Sequence, residues 1–297
     1  MPTNFSAKNK MNKFKHKHSL GQNFITDEFL LEDIADESGI TKDDYVLEIG
    51  PGNGALTRCL CDRAKYVVAV EIDKTLLPLL KSNLKDYKNV SIINADFLNY
   101  DFQNIINEFK ETGANITSPT VGADIIRPIK VVANLPYYIT SPIIQNLLQN
   151  PYISDMTLMV QKEVAERIVA DPNTKDFGIL TLACNYFADT EMIMIVSKDC
   201  FFPKPKVDSA VVYFKKHFSH TNYSDNNYEK LFKLIKASFA QRRKKLLNSL
   251  INAGYSKEVL ISAFDKLHFD ENVRAENLSL DDYKNLLTLL CSYSYNE

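Results

Sequence analysis

The sequence predicts an α/β fold, a mostly parallel sheet with helices on both faces, followed by a small all-helical C-terminal domain. Three observations predict it. Short, nearly continuous apolar runs alternate with helical runs from Tyr45 to Val160, the pattern of strands buried on both sides. A glycine-rich turn sits at the first strand-to-helix junction. After Phe214 only helical periodicity remains. With 297 residues, 45% of them hydrophobic, the chain can fill one large core and a smaller second one.

The elements follow in order. Residues 1–18 are rich in Lys and Asn and carry no acid, and they read as a flexible basic arm. An ordinary disordered tail and an arm that tracks phosphates fit equally well. From about Phe24 to Ser38, apolar residues recur at helical spacing (Phe29, Leu30, Ile34), and Gly39 ends the run. Strands are expected at Tyr45–Ile49, Tyr66–Ile72, Val90–Asn94, Lys130–Ala133 and Met156–Val160. Helices are expected at Ala55–Ala64, Lys74–Lys85 and about Ser141–Gln149. Lys110–Pro128 mixes Gly, Thr, Ser and Pro without periodicity and reads as a surface excursion. Glu191–Val196 and Ser209–Phe214 read as closing, hairpin-type strands. Lys215–Asn227 is a polar linker, and helices are expected at Tyr228–Ala253, Lys257–Leu267 and Leu280–Cys291. The expected division is therefore an arm (1–18), a sheet domain (19–214) and a helical domain (228–297).

Composition excludes several classes. The formal net charge is -2, so any nucleic-acid surface must be local. The five cysteines are scattered without C-x-x-C spacing and read as reduced thiols. No histidine shows metal-ligand spacing, so no metal is expected. No apolar run has transmembrane length and the N-terminus lacks a signal-peptide core, so a cytoplasmic location and no membrane partner are expected.

The first chemical signal is Glu48-Ile49-Gly50-Pro51-Gly52-Asn53-Gly54. Gly50 and Gly52 let the backbone turn sharply and approach a ligand, and Glu71, at the end of the second strand, is placed for ribose hydroxyls. This pattern says only that an adenosine-type cofactor binds a Rossmann-like sheet. Gly50, Gly52 and Ala55 also satisfy the dinucleotide pattern of nicotinamide or flavin enzymes. Asp96, after the third strand, could accept the amine of the cofactor's adenine or simply cap the following turn.

The deciding motif is Asn134-Leu135-Pro136-Tyr137, directly after the fourth strand. It resembles the N-[LIP]-P-Y signature of amino methyltransferases. The N6 amine of adenine is a poor nucleophile because its lone pair is conjugated into the ring. Acceptors at both N–H groups draw it towards tetrahedral geometry. The Asn134 side-chain oxygen can be one and the Leu135 carbonyl the other, with Pro136 stiffening the turn. Tyr137 offers a face to a flipped-out base, and Phe201 in Phe201-Phe202-Pro203-Lys204-Pro205 could stack on the other side or be core packing. Attack on a sulfonium methyl is then an in-line displacement that needs orientation more than a strong base. A second basic feature, Arg242-Arg243-Lys244-Lys245, is expected within the first helix of the helical domain; four successive cations cannot share one helical face, so part of the run reads as solvated surface, and a phosphate contact is the favoured reading.

Together these residues resemble the bacterial small-subunit (16S) ribosomal RNA adenine N6,N6-dimethyltransferases. The resemblance runs from about Lys17 to the C-terminus. It includes Leu20-Gly21-Gln22-Asn23-Phe24, the glycine loop, Asn134-Leu135-Pro136-Tyr137-Tyr138, Gln161 to Arg167, Phe201 to Val211 and Ser238 to Lys244. It implies a class I methyltransferase sheet and S-adenosylmethionine as methyl donor. It also implies two adjacent adenosines near the 3′ end of small-subunit RNA as target, within an assembling 30S subunit. By position, Asn23, Ile25, Gly50, Glu71, Asp96 and Asn134 would line the cofactor site; the family more often has Leu where Ile25 stands. A monomer is the expectation. The rivals are a large-subunit (23S) RNA methyltransferase of the macrolide-resistance type, a non-catalytic assembly or transcription factor on the same fold, and a nicotinamide oxidoreductase.

Overall fold

The computed structural model describes residues 23–114, 116, 129–217 and 226–294. The N-terminal arm, most of Lys110–Pro128 and the middle of the Lys215–Asn227 linker lie outside them.

The described elements are β1 (Phe24–Ile25), α1 (Glu28–Glu37), β2 (Tyr45–Ile49), α2 (Ala55–Arg63), β3 (Tyr66–Glu71), α3 (Leu77–Asn83), β4 (Val90–Asn94), α4 (Phe102–Glu111), β5 (Ile129–Asn134), α5 (Thr140–Gln149), β6 (Ile153–Gln161), α6 (Lys162–Ile168), α7 (Ile179–Phe187), β7 (Ala188–Val196), β8 (Phe201–Phe202), β9 (Ser209–Lys216), α8 (Asn226–Phe239), α9 (Leu246–Asn252), α10 (Lys257–Lys266) and α11 (Leu280–Ser294). The main sheet has the order β4-β3-β2-β5-β6-β9-β7. Its first five strands are parallel, and β9 runs antiparallel to both β6 and β7. The sheet is mixed because its last two strands return as the expected hairpin-type pair.

Strand alternation sorts side chains onto two faces. Val46, Val67, Val132, Met159 and Val211 enter one apolar cluster with residues of α1 and α2. Their neighbours Leu47, Val68, Val131, Leu158 and Val212 enter the other, with α4, α5 and α7. That second cluster continues without a break into the C-terminal helices. Tyr186 of α7 packs its ring on Tyr228 and Phe232 of α8, and Phe187 packs on Tyr228, at centroid distances of 5.2–5.9 Å.

Four expectations need correction. The run from Phe24 begins not as helix but as β1, paired antiparallel with β8. Asp27 then caps α1 by accepting from the N–H groups of Phe29 and Leu30. Helix α3 starts at Leu77 rather than Lys74, because Thr75 bonds back to the Asp73 carboxylate through its N–H and hydroxyl. Lys110 and Glu111 belong to α4, a helix capped by Asp101, and not to the excursion. Tyr228–Ala253 is two helices, and Arg242 to Lys245 lie in the turn between them. The Arg242 side chain leaves the helical line to pair with Glu276 at 2.6 Å and to donate to the Thr174 and Lys175 carbonyls. The Leu246 N–H is bonded to Val273 at 2.7 Å, so tertiary bonds take the place of helical ones.

Candidate active site

In an open α/β sheet, ligands bind at the carboxyl ends of the strands where the strand order reverses. Here the chain runs outward from β2 to β4 on one side and restarts at β5 on the other. The reversal lies between β2 and β5, and the two loops leaving these strands carry the glycine turn and the asparagine motif. They meet: a Cβ on Gly50 would stand 3.9 Å from Pro136 Cδ and 4.0 Å from the Asn134 carbonyl oxygen.

The cleft over this point encloses about 990 Å³, open solvent included. Asn23, Ile25, Gly50, Gly52, Glu71, Asp96, Asn134, Leu135, Pro136 and Tyr137 all line it. The structure thus brings together every residue that the sequence pointed to for the cofactor.

The local geometry explains each placement. Gly50 and Gly52 have φ of +71° and +60°, which residues with a Cβ rarely adopt. The Gly52 N–H donates to Glu71 at 3.0 Å, and the Asp73 N–H donates to the other oxygen at 2.8 Å. Burial pushes the Glu71 carboxyl above its usual range, and those two N–H groups pull it back. Asp96 does cap its turn, accepting from Leu98 N–H and from Asn99, and it lines the cleft as well. The Asn134 amide nitrogen donates to the Asn23 carbonyl at 3.2 Å, and among the described residues no donor meets its oxygen, which is left as an acceptor. The Pro136 carbonyl is taken by the Ile139 N–H and the Thr140 hydroxyl. Among the described residues no hydrogen bond reaches the Leu135 carbonyl, which leaves it open as an acceptor. The Tyr137 hydroxyl is bonded to Ser209 at 2.8 Å, which fixes the ring against the start of β9.

Of the two roles open to Phe201, stacking on a base and core packing, the structure shows core packing. Phe201 is 4% exposed, inside the apolar cluster beneath α1 and α2, and is absent from the cleft wall. Its strand β8 is paired to β1, and alternation turns Phe201 inward and leaves Phe202 36% exposed. In this conformation Phe201 presents no ring face to a base. The turn residues Arg243, Lys244 and Lys245 are exposed, whereas Arg242 is engaged within the protein.

Three lining residues stand out that the motifs contained but to which the sequence reading gave no role. Phe24 packs its ring edge against the glycine loop, and Tyr138 stands 53% exposed at the cleft mouth. Glu48 is 1% exposed, and one of its oxygens has no hydrogen-bond partner among the described residues. Burial first, and the nearby Glu71 charge in addition, hold its carboxyl up at about 8 against a lowering contact from Thr57. A lone acid inside the apolar run Tyr45-Val46-Leu47-Glu48-Ile49 was the signal for it.

The cradle predicts its own sensitivity. A Cβ on Gly52 would lie 2.7 Å from Phe24 Cε1, and Phe24 is too buried to swing away freely. The left-handed backbone adds about 1–2 kcal/mol. Gly52→Ala is expected to weaken S-adenosylhomocysteine binding by about tenfold or more in calorimetry. Unchanged affinity would show that the loop does not touch the ligand.

Among the described residues there is no group of His, Cys, Asp and Glu that could hold a metal, and no helix is long and apolar enough to cross a membrane. Comparison with known proteins agrees with the cleft. Residues 13–291 match the family model for ribosomal RNA adenine dimethylase. A protein of Lachnoclostridium phytofermentans named ribosomal RNA small subunit methyltransferase A is 44% identical over 283 residues, covering 94% of this chain and 92% of that protein. Its namesake in Clostridium acetobutylicum is 40% identical over 274 residues, covering 92% and 93%. The structure of a dimethyladenosine transferase from Plasmodium falciparum superposes with a TM-score of 0.74 at 24% identity, covering 91% and 98%, which attests the fold. The 23S rRNA methyltransferase ErmE superposes at 0.66 with 26% identity, covering 90% and 99%. A nicotinamide enzyme is thereby set aside. The chain belongs to the ribosomal RNA adenine dimethylase family and is an S-adenosylmethionine-dependent methyltransferase.

Proposed function

We propose that the chain methylates N6 of two adjacent adenosines near the 3′ end of 16S ribosomal RNA, giving N6,N6-dimethyladenosine while the 30S subunit assembles. The observation that carries this reading is the asparagine motif, intact at the reversal point, in a chain 40–44% identical to proteins named small-subunit methyltransferases. The 26% identity to a 23S enzyme supports the large-subunit rival less. A non-catalytic factor would have no need of the two open acceptors.

Gly50, Gly52, Glu71 and Asp96 fit the cofactor. The glycine loop leaves room for the methionine part, Glu71 is placed for the ribose hydroxyls, and Asp96 for the adenine amine. Asn23, Ile25 and Asn134 complete the wall. S-adenosylmethionine supplies an electrophilic methyl group on a sulfonium. The Asn134 oxygen and Leu135 carbonyl accept from the two N–H groups of the target amine and free its lone pair. Tyr137, with Tyr138 beside it at the mouth, holds the base. After the first transfer one N–H remains, so one acceptor suffices to aim the methylated amine. The proton leaves from the methylated amine, which is far more acidic than the starting one. Arg243, Lys244 and Lys245 are exposed for phosphates, in a helical domain (228–297) that presents them beside the methyltransferase domain (19–214). The enzyme acts as a monomer in the cytoplasm.

The test is transfer of label from S-adenosylmethionine to unmethylated small subunits and, separately, to unmethylated 23S RNA, with mass spectrometry of the product. N6,N6-dimethyladenosine on the small subunit alone is expected. Label on 23S RNA alone would move the chain to the resistance enzymes, and label on neither would favour the assembly factor.

A further inference from the structure

Besides the cleft, the molecule has a second large concavity, a groove between α5, α7 and α8. Its floor is apolar, with Ile144 and Leu148 from α5 and Ala183 from α7. Its walls carry three cations, Arg167, Lys233 and Lys236, against a single carboxylate, Glu229. All three cations are exposed, and none forms an ion pair with a described residue. Lys233 and Lys236 are three residues apart on α8, so they face the same way. The groove encloses about 1340 Å³, open solvent included.

The groove adjoins the active site through α5. Tyr138, Ile139 and Ile143 face the cleft, whereas Ser141, Ile144, Gln145 and Leu148 line the groove. The first turn of one helix therefore divides the two. From Ser141 to Leu148 the groove follows α5 for about 10 Å.

We propose that this groove is a second substrate subsite, in which Arg167, Lys233 and Lys236 hold the phosphates of an RNA segment flanking the target adenosines. It rests on the reading of the chain as an RNA methyltransferase acting at the cleft. Two observations select RNA over a peptide. Three cations without an ion pair among the described residues, against one acid, would repel most basic peptides and attract a polyanion. The groove also starts where the cleft ends, so a strand with one nucleotide flipped into the cleft has its neighbours within reach of it. The subsite supplies binding energy away from the reacting atoms, which appears in the affinity for RNA and not in the chemical step. Arg242 cannot do this work because its guanidinium is engaged with Glu276 and two carbonyls.

The experiment uses the full-length protein and the Lys233→Gln/Lys236→Gln double variant, with unmethylated small ribosomal subunits as probe. KM for subunits and kcat are measured, with binding across a salt series. The variant is expected to raise KM about fivefold or more and to keep kcat within about twofold. S-adenosylhomocysteine affinity should not change, because neither lysine lines the cleft. Two lost phosphate contacts should lower the slope of log affinity against log salt by about 1.4. The Lys233→Arg/Lys236→Arg variant keeps both charges and should behave as wild type. Wild-type KM and salt slope in the glutamine variant would overturn the subsite. A loss of kcat that the arginine variant shares would overturn it too, since that marks a structural role. If the wild-type enzyme labels 23S RNA instead, the small-subunit reading fails, and the same variants read out the groove on that RNA.

Discussion

Asn134→Ala is expected to lower kcat about 10²–10³-fold while S-adenosylhomocysteine binds within about threefold of wild type. The magnitude follows from removing one preorganised polar partner of the reacting group, which costs about that factor in enzymes that stabilise developing charge with fixed dipoles. Asn134 fits this role because its amide is already oriented. Its nitrogen is held by the Asn23 carbonyl at 3.2 Å, so the oxygen need not turn when the base arrives. Alanine removes the acceptor and leaves the target amine conjugated and flat. The cofactor loses little, because the glycine loop, Glu71 and Asp96 come from other strands. Single-turnover transfer separates the chemical step from product release, and calorimetry reports the cofactor. Near-normal turnover in this variant would sink the mechanism.

Glu48→Gln is expected to flatten the pH dependence of stability of the cofactor-free protein. Burial holds the Glu48 carboxyl up at about 8, against 4.5 for a free side chain. The folded state thus keeps a proton that the unfolded chain releases. Stability from this group is complete below pH 4.5, falls by about 1.4 kcal/mol per pH unit as pH rises towards 8, and levels off beyond. Glu71 and Cys61, the titratable neighbours coupled to Glu48, only deepen the cost of ionising it. Glutamine keeps the shape and carries no charge at any pH. Melting temperatures of the two proteins should lie close together at pH 5 and separate by pH 9, with the variant higher. Parallel curves would show that Glu48 is ionised at no cost, through a partner or through solvent reaching the site.

The sequence was most legible where a local pattern decided the outcome. β2 and β4 fall at Tyr45–Ile49 and Val90–Asn94 as expected, because an unbroken apolar run between turn residues has few alternatives. The cleft was legible for a related reason. Its residues leave the carboxyl ends of strands, and a parallel sheet brings those ends together whatever the rest of the chain does. Helix α7 was missed because Ile179 to Cys184 is a short, mostly apolar run, which by itself does not tell a helix from a buried strand. Glu48 was read as part of a motif, and its burial depends on what covers β2.

What the sequence by itself determined is the family, the class of sheet, and which residues meet at the reversal point between β2 and β5. These follow from turn chemistry and apolar period, both of which act over a few residues. Only the tertiary structure decided the fate of the basic run and of Phe201. Arg242 finds its partners 34 and about 68 positions away, at Glu276 and at the Thr174 and Lys175 carbonyls, and these bonds break what periodicity alone would continue as one helix. Phe201 turns inward because β8 pairs with β1, some 176 residues earlier, and strand alternation leaves only one of two adjacent phenylalanines for the surface. In both cases the deciding force comes from a partner that no local window of sequence contains.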